Sequence, residues 1–456
     1  MRQAGPNMLY LTCRQVNAPS QTFPEMKANT AYLPRRNFLR DLLRAGAAPL
    51  LLPAAALGRA GAVAPNSRIG FGVIGTGNRA REILPNFIGF SELRCLAVSD
   101  SRRDRLRAAK EFVDAHYRNQ DCRSYADFQE LLAARDIDAV LIATGNRWHG
   151  LGSIYAARAG KDVYSEKPVT LTLAEGRALV QTCRRFGTVY QAGTQRRNTD
   201  SYAFARHMVR QGRIGHLRTV EMQCWTGPAI PLSPSVPVPA GWDYDQWLGQ
   251  APWRPFNHAR VNSWQYFWET AEGVLADMGC HYTDQMQWVL GTDDTGPVEF
   301  SATGTFPDPA QFCSETPLTA EARCRYAHGV EGVLYQRAGF VDRYIRYIGD
   351  EGWIQVDDET DTVTAKPASI LNLRSEGGVS WANASAHIGD FLAAIRSRRP
   401  AICNPEVAHR AMSICQAMNL SLRLGRSLRW DPVKERFNDE AANRMLYREP
   451  RAPWRL

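Results

Sequence analysis

An apolar run, Ile69–Ile74, leads directly into Gly75-Thr76-Gly77-Asn78-Arg79-Ala80, and a helical pattern follows over Asn78–Phe87. A G-x-G-x-x-A turn carries meaning only in this strand–turn–helix setting. Its glycines allow a tight turn and close backbone approach. The helix beyond them presents amide hydrogens and a positive dipole to a pyrophosphate. The bland alternative is a glycine turn that caps a helix and binds nothing.

The chain continues in the same rhythm. Strand patterns at Leu93–Val98, Ala139–Ala143, Asp162–Ser165 and Thr188–Ala192 alternate with helical ones at Ser101–His116, His149–Ala159 and Leu173–Phe186. That alternation predicts an α/β fold, with a Rossmann-type doubly wound parallel sheet over residues 65–195. Asp100 ends the second strand, twenty-three residues after Gly77, where a carboxylate would accept from an adenosine ribose. This favours NAD. Arg79, Arg102 and Arg103 keep NADP as the alternative. Gly75, Thr76, Gly77, Asn78, Arg79 and Asp100 are the expected cofactor contacts.

Residues 226–256 are rich in proline, glycine and tryptophan and read as a long ordered loop. Strand patterns without long helices then run from Val298 to Val363, followed by helices at Ser385–Arg396 and Pro405–Leu424 and a polar, arginine-rich tail. Residues 196–456 are therefore expected to form an α+β domain with a mostly antiparallel open sheet.

A leader precedes both domains. Pro34-Arg35-Arg36-Asn37-Phe38-Leu39-Arg40 stands before a short apolar core from Ala45 to Leu57, with small residues at Ala62-Val63-Ala64. This is the pattern of a twin-arginine address over residues 1–64, read by the export machinery. It implies a periplasmic or otherwise exported protein. Residues 1–64 carry eight Lys or Arg against two Asp or Glu, so most of the formal +9 belongs to the leader. The remaining excess is too weak to argue for nucleic acid. The cysteines form no C-x-x-C pattern. An oxidising compartment would permit a Cys313–Cys324 bridge, although nothing in the spacing demands one.

Two constellations carry chemistry. The chain has six lysines against forty-nine arginines, and Lys167 follows the strand Asp162–Ser165 in Ser165-Glu166-Lys167-Pro168. Open parallel sheets bind ligands at the carboxyl ends of their strands. There a lysine can donate to an alcohol or alkoxide oxygen; its bland reading is a surface lysine. The second is Asp277-Met278-Gly279-Cys280-His281-Tyr282-Thr283-Asp284. If helical, Asp277, His281 and Asp284 share one face, and a carboxylate would orient the imidazole for proton transfer. A metal site lacks a third ligand at recognisable spacing, and a capped structural helix remains the other alternative. Six of twelve tryptophans lie between Trp225 and Trp268, suited equally to sugar stacking and to a core.

Together these residues resemble the Gfo/Idh/MocA family. The glycine turn Gly75–Ala80, Glu166-Lys167-Pro168 and the D-x-G-x-H-x-x-D helix at Asp277, Gly279, His281 and Asp284 match its motifs. Gly193-Thr194-Gln195-Arg196-Arg197, Trp247-Leu248-Gly249 and Trp430-Asp431-Pro432 look like its exported branch. The resemblance implies a catalytic set of Lys167, Asp277 and His281. It adds Thr144, Asn146, His149, Glu166 and Lys167 to the cofactor contacts. It places Gln195, Arg196, Arg197, Trp264, Tyr266 and Asp284 at a carbohydrate or polyol substrate, and implies a homo-oligomer. The implied activity is oxidation of a sugar, polyol or glycoside hydroxyl with a tightly held cofactor. A redox-neutral glycosidase, lyase or epimerase and a non-catalytic sugar-binding protein are the alternatives. One departure stands out: Thr144-Gly145-Asn146-Arg147-Trp148-His149 occupies a loop where the family usually has Thr-Pro.

Overall fold

The computed structural model describes Ala64 and residues 67–338, 343–373 and 384–456. Apart from Ala64, the twin-arginine leader lies outside the described residues. Six strands, β1 (Ile69–Ile74), β2 (Leu93–Ser99), β3 (Arg123–Tyr125), β4 (Ala139–Ile142), β5 (Asp162–Ser165) and β6 (Tyr190–Ala192), form one sheet. Their order is β3-β2-β1-β4-β5-β6, and every pair is parallel. β4 and β5 are buried at every position, as parallel strands covered by helices on both faces must be. The winding reverses between β1 and β4, which opens a crevice at their carboxyl ends. The sequence reading passed over β3 and the helix Phe128–Ala133, which Asp127 caps by accepting from Gln129 N at 2.8 Å.

The second sheet has nine strands: β7 (Leu217–Cys224), β8 (Glu299–Thr305), β9 (Thr319–Arg325), β10 (Glu331–Gln336), β11 (Tyr344–Gly349), β12 (Trp353–Asp357), β13 (Val363–Lys366), β14 (Leu428–Asp431) and β15 (Arg436–Phe437). Its order is β13-β12-β11-β7-β10-β9-β8-β14-β15, antiparallel except where β7 meets β10. Alternate residues of β9 and β11 are buried, the period expected of a sheet with one covered face. Helices Asp200–Arg210, Gly279–Leu290 and Pro405–Leu424 cover that face, burying Tyr202, Met222, Tyr282, Met286, Tyr347 and Met418 in one core.

The chain beyond residue 196 is not confined to this second sheet. Helix Ala384–Ser397 returns to the first domain, where Ile388, Phe391 and Leu392 share a core with Phe71, Val98 and Tyr164. The tail, expected to be merely polar, contributes β14, β15 and helix Glu440–Arg444. It ends with Trp454 packed against Trp148 at a ring separation of 4.6 Å. All nine cysteines among the described residues are free thiols, so Cys313 and Cys324 do not form the bridge that their setting would permit. No helix among the described residues is long and apolar enough to cross a membrane.

Candidate active site

The crevice between β1 and β4 holds a cavity of about 510 Å³, lined by Gly75, Gly77, Asn78, Arg79, Asp100 and Thr144 among others. Gly75 has φ +82, and a Cβ there would lie 2.7 Å from Thr144 Cγ2 and 2.9 Å from the Ala143 carbonyl. Only glycine fits this turn. Helix Asn78–Ile88 begins without a side-chain cap or an acidic residue in its first turn, which leaves its first amides available to an anion. Asp100 Oδ2 accepts from Thr76 N at 2.7 Å and Thr76 Oγ1 at 3.0 Å, while Oδ1 accepts from Arg102 N at 2.9 Å. It therefore sets the turn's shape as well as facing the cavity. Thr76 itself is buried beneath the turn.

Beyond the end of β5, Lys167 Nζ donates to the backbone carbonyl and to Oδ1 of Asp277, both at 3.0 Å. An ammonium has three hydrogens, so one remains uncommitted, and a fifth of the side chain is exposed. Burial pulls Lys167 down, but Asp277, Cys280 and Glu166 outweigh it, and its pKa lies above the ordinary value. It is a held, charged donor. His281 is buried, and its Nδ1 has no hydrogen-bond partner among the described residues. That nitrogen is therefore free to meet a polar partner.

Asp277, His281 and Asp284 do not share one helix. Asp277 ends the short helix Val274–Asp277, and His281 and Asp284 belong to the next, Gly279–Leu290. Asp277 accordingly turns to Lys167, not to His281. Asp284 is withdrawn altogether: its carboxylate accepts from Arg197 Nε at 2.9 and 3.0 Å, with both side chains almost fully buried. Arg197 also pairs with Asp293 at 2.7 Å, and Arg196 with Asp358. The substrate contacts expected of Arg196, Arg197 and Asp284 are thus replaced by internal ion pairs. Gln195 is half-buried beside Tyr164. Tyr266, also half-buried, packs on the second domain's core, and Trp264 lines the cavity.

Several expected cofactor residues also have other partners. His149 is buried, with Nδ1 2.7 Å from Pro168 O and Nε2 3.2 Å from Thr144 O. Burial brings it down to about 4 despite those two carbonyls, so it is a neutral latch that ties the Lys167-Pro168 turn to the β4 loop. Arg79 Nε lies 3.0 Å from Glu166 Oε1 and Nη1 lies 3.2 Å from Glu82. Its charge is paired with Glu166 and Glu82. Arg102 is similarly committed to Asp104 at 2.6 Å. Asn146 is buried, and its Oδ1 lacks a partner among the described residues.

Arg102, expected near the cofactor, helps to roof this cavity, together with Arg147, Trp148, Trp242, Gln246 and Trp247, which were not expected there. The run of tryptophans was its one signal. It is divided in role: Trp242, Trp247 and Trp264 line the cavity, whereas Trp268 packs against the guanidinium groups of Arg423 at 3.7 Å and Arg448 at 3.9 Å.

Burial, followed by the positive fields of Arg196, Lys167 and Arg79, holds His281 well below the ordinary 6.5. A base with a lowered pKa stays unprotonated to more acidic pH. Any turnover that uses His281 as its base is therefore expected to show the acidic limb of kcat/KM below pH 6.5. A pH–rate profile checks this, and a limb at or above that value would assign the base to another group.

Residues 69–194 match the model of an oxidoreductase family's NAD-binding Rossmann fold, and residues 222–456 match that of its C-terminal alpha/beta domain. The chain belongs to the Gfo/Idh/MocA oxidoreductase family. Its first domain is accordingly the family's NAD-binding domain. The chain is 25% identical over 295 residues to myo-inositol 2-dehydrogenase of Thermotoga maritima, covering 64% of this chain and 76% of that protein. It is 28% identical over 179 residues to 1,5-anhydro-D-fructose reductase of Ensifer adhaerens, covering 39% and 45%. The chain spans about half the length, or less, of several such relatives. Among solved structures, aldose-aldose oxidoreductase from Caulobacter crescentus aligns with TM-score 0.61 at 20% identity, over 79% of this chain and 99% of the other. The WlbA dehydrogenase from Bordetella pertussis, in complex with NADH and UDP-GlcNAcA, aligns with TM-score 0.60 at 18% identity, over 80% and 99%. These likenesses show the shared Gfo/Idh/MocA fold.

Proposed function

We propose that this Gfo/Idh/MocA protein is an NAD(P)-dependent oxidoreductase acting on a hydroxyl of a sugar, cyclic polyol or glycoside. The reading rests on one observation: a charged lysine with a spare hydrogen and a buried histidine with a bare nitrogen lie within electrostatic reach of each other, and the histidine also feels Arg79, which lines the crevice. When bound, the nicotinamide supplies the hydride acceptor. Lys167 donates its free hydrogen to the reacting oxygen and stabilises the alkoxide as it develops. Neutral His281 takes the hydroxyl proton. Asp277 is a positioning residue, because it fixes Lys167 through two acceptors. NAD is the preferred cofactor, because Asp100 lines the cavity at the end of β2 and the guanidinium groups of Arg79 and Arg102 are each paired with a carboxylate.

The cavity's roof supports a cofactor that is retained between turnovers, so a cycle that returns the hydride, by a second substrate or by redox-neutral chemistry, is favoured over release of reduced cofactor. The Arg35-Arg36 leader supports export in folded form by the twin-arginine route, with a periplasmic location. Mass analysis of dinucleotide released from denatured purified protein, followed by a screen of sugars and polyols for its reduction, tests the proposal. Bound NAD that is reduced by a member of the panel is expected. Protein without a dinucleotide, and with no affinity for one, would end the reading.

A further inference from the structure

Segment 241–248 crosses the mouth of the cofactor crevice and is tied to the nucleotide domain on both sides. On the β2 side, Arg103 N donates to Gly241 O at 2.9 Å and Asp243 N to Ser101 O at 2.8 Å. There the Arg102 guanidinium also lies 4.6 Å from the Trp242 ring centroid. On the β4 side, Trp148 Nε1 donates to Gln246 O at 2.9 Å, and Arg147 Nε donates to Trp247 O.

Arg147 is the unusual member of this set. It is 2% exposed and lies 3.8 Å from the Trp247 ring centroid. No carboxylate among the described residues pairs with it, and its buried Nη1 has no hydrogen-bond partner there. Buried Arg196 and Arg197 differ, because Asp358 and Asp284 overcome the effect of burial on them. For Arg147, burial prevails and brings it down to about 9. A buried cation without a counter-charge is unfavourable unless a ligand supplies one.

The side chain's seat shows where that ligand belongs. Arg147 is the second residue of helix Asn146–Arg158 and folds back over Gly145, where a Cβ would lie 2.4 Å from its Nη1. This accounts for glycine in a loop where the family usually has proline, since a side chain at 145 would collide with the guanidinium. Thr144, one residue earlier, packs on Gly75. Gly75, Gly77, Thr144, Gly145 and Arg147 line the same cavity.

We propose that Arg147 is a ligand of the cofactor's diphosphate, closing from the β4 side the anion site that the glycine turn opens from β1. The inference rests on the crevice holding a nicotinamide dinucleotide. One guanidinium then serves two partners: Nε holds the Trp247 carbonyl, and the bare Nη edge faces phosphate oxygens, a geometry that suits a planar fork. Dinucleotide release has to break the phosphate contact beneath a strap that the same side chain pins.

The test uses the purified full chain and its Arg147→Met and Arg147→Lys variants. It reads bound dinucleotide, its dissociation rate by isotope chase, and the affinities of ADP and adenosine. Arg147→Met is expected to release dinucleotide about 10–100-fold faster, the range for a lost charged hydrogen bond. ADP affinity should fall by a similar factor while adenosine affinity holds. Arg147→Lys should fall between the two, because it keeps the charge without the fork. Unchanged release from Arg147→Met overturns the proposal, as does an equal loss of ADP and adenosine, which would mean that only the strap had moved. A raised KM for an acidic sugar with unchanged dinucleotide release would assign the guanidinium to a substrate carboxylate and overturn it too. If Arg147→Met fails to fold, an ADP-to-adenosine preference in Arg147→Lys equal to that of the parent overturns it. A parent chain that binds neither NAD nor ADP removes the cofactor reading, and this proposal with it.

Discussion

Replacing Lys167 by methionine is expected to lower turnover about a thousandfold while the dinucleotide stays bound. Lys167 gives two hydrogens to Asp277 and keeps one uncommitted, which the proposed function assigns to the reacting oxygen. Removing a donor aimed at developing negative charge typically lowers kcat about 10²–10³-fold. The fold should survive, because the Asp277 carboxylate left behind is about a quarter exposed and can be hydrated. His281→Ala should lower turnover about 10²–10⁴-fold, as expected for a lost general base, again with cofactor binding intact. Single-turnover hydride transfer on dinucleotide-loaded protein separates these effects from binding. Normal turnover in either variant would remove that residue from the chemistry. Lys167→Arg is a useful control: arginine keeps the charge but not the compact, rotatable ammonium that reaches both Asp277 acceptors.

The second large effect lies in stability. Asp284→Ala should destabilise the fold by about 3–5 kcal/mol, the usual consequence of stripping one partner from a buried pair. The Arg197 side chain, 2% exposed, would keep Asp293, one-third exposed, as its one counter-charge among the described residues, besides the backbone carbonyl at 284. Denaturant unfolding checks this. A variant of unchanged stability with a raised KM would instead return Asp284 to the substrate site. The comparison decides between two roles that the D-x-G-x-H-x-x-D pattern cannot separate.

That pattern illustrates what was legible in the sequence. The first sheet could be read because buried parallel strands are short apolar runs, and the glycine turn marks where the first one ends. β3 and β7 were not, for opposite reasons. β3 is only three residues long. β7 is a long strand in the middle of its sheet, but Arg218, Thr219 and Glu221 interrupt its apolar residues, which hides its buried half. Lys167, Asp277 and His281 were identified as types, yet the bond that organises them spans 110 residues, and no local spacing encodes it. The helical-face argument failed at Met278 and Gly279, where one helix stops and another starts. Arg196 and Arg197 looked available because their partners, Asp358 and Asp284, lie far along the chain.

The strap over residues 241–248 also has a kinetic consequence. If the dinucleotide cannot leave between events, the donor and the acceptor of the hydride cannot occupy the protein together with a fresh cofactor. They must visit one pocket in turn, each leaving before the other arrives. Selectivity then becomes a compromise, since a wall shaped to favour one visitor must still admit the second. With two substrates, the proposed retention would give a ping-pong sequence in which the protein itself alternates between oxidised and reduced forms, a reusable reagent with a single door.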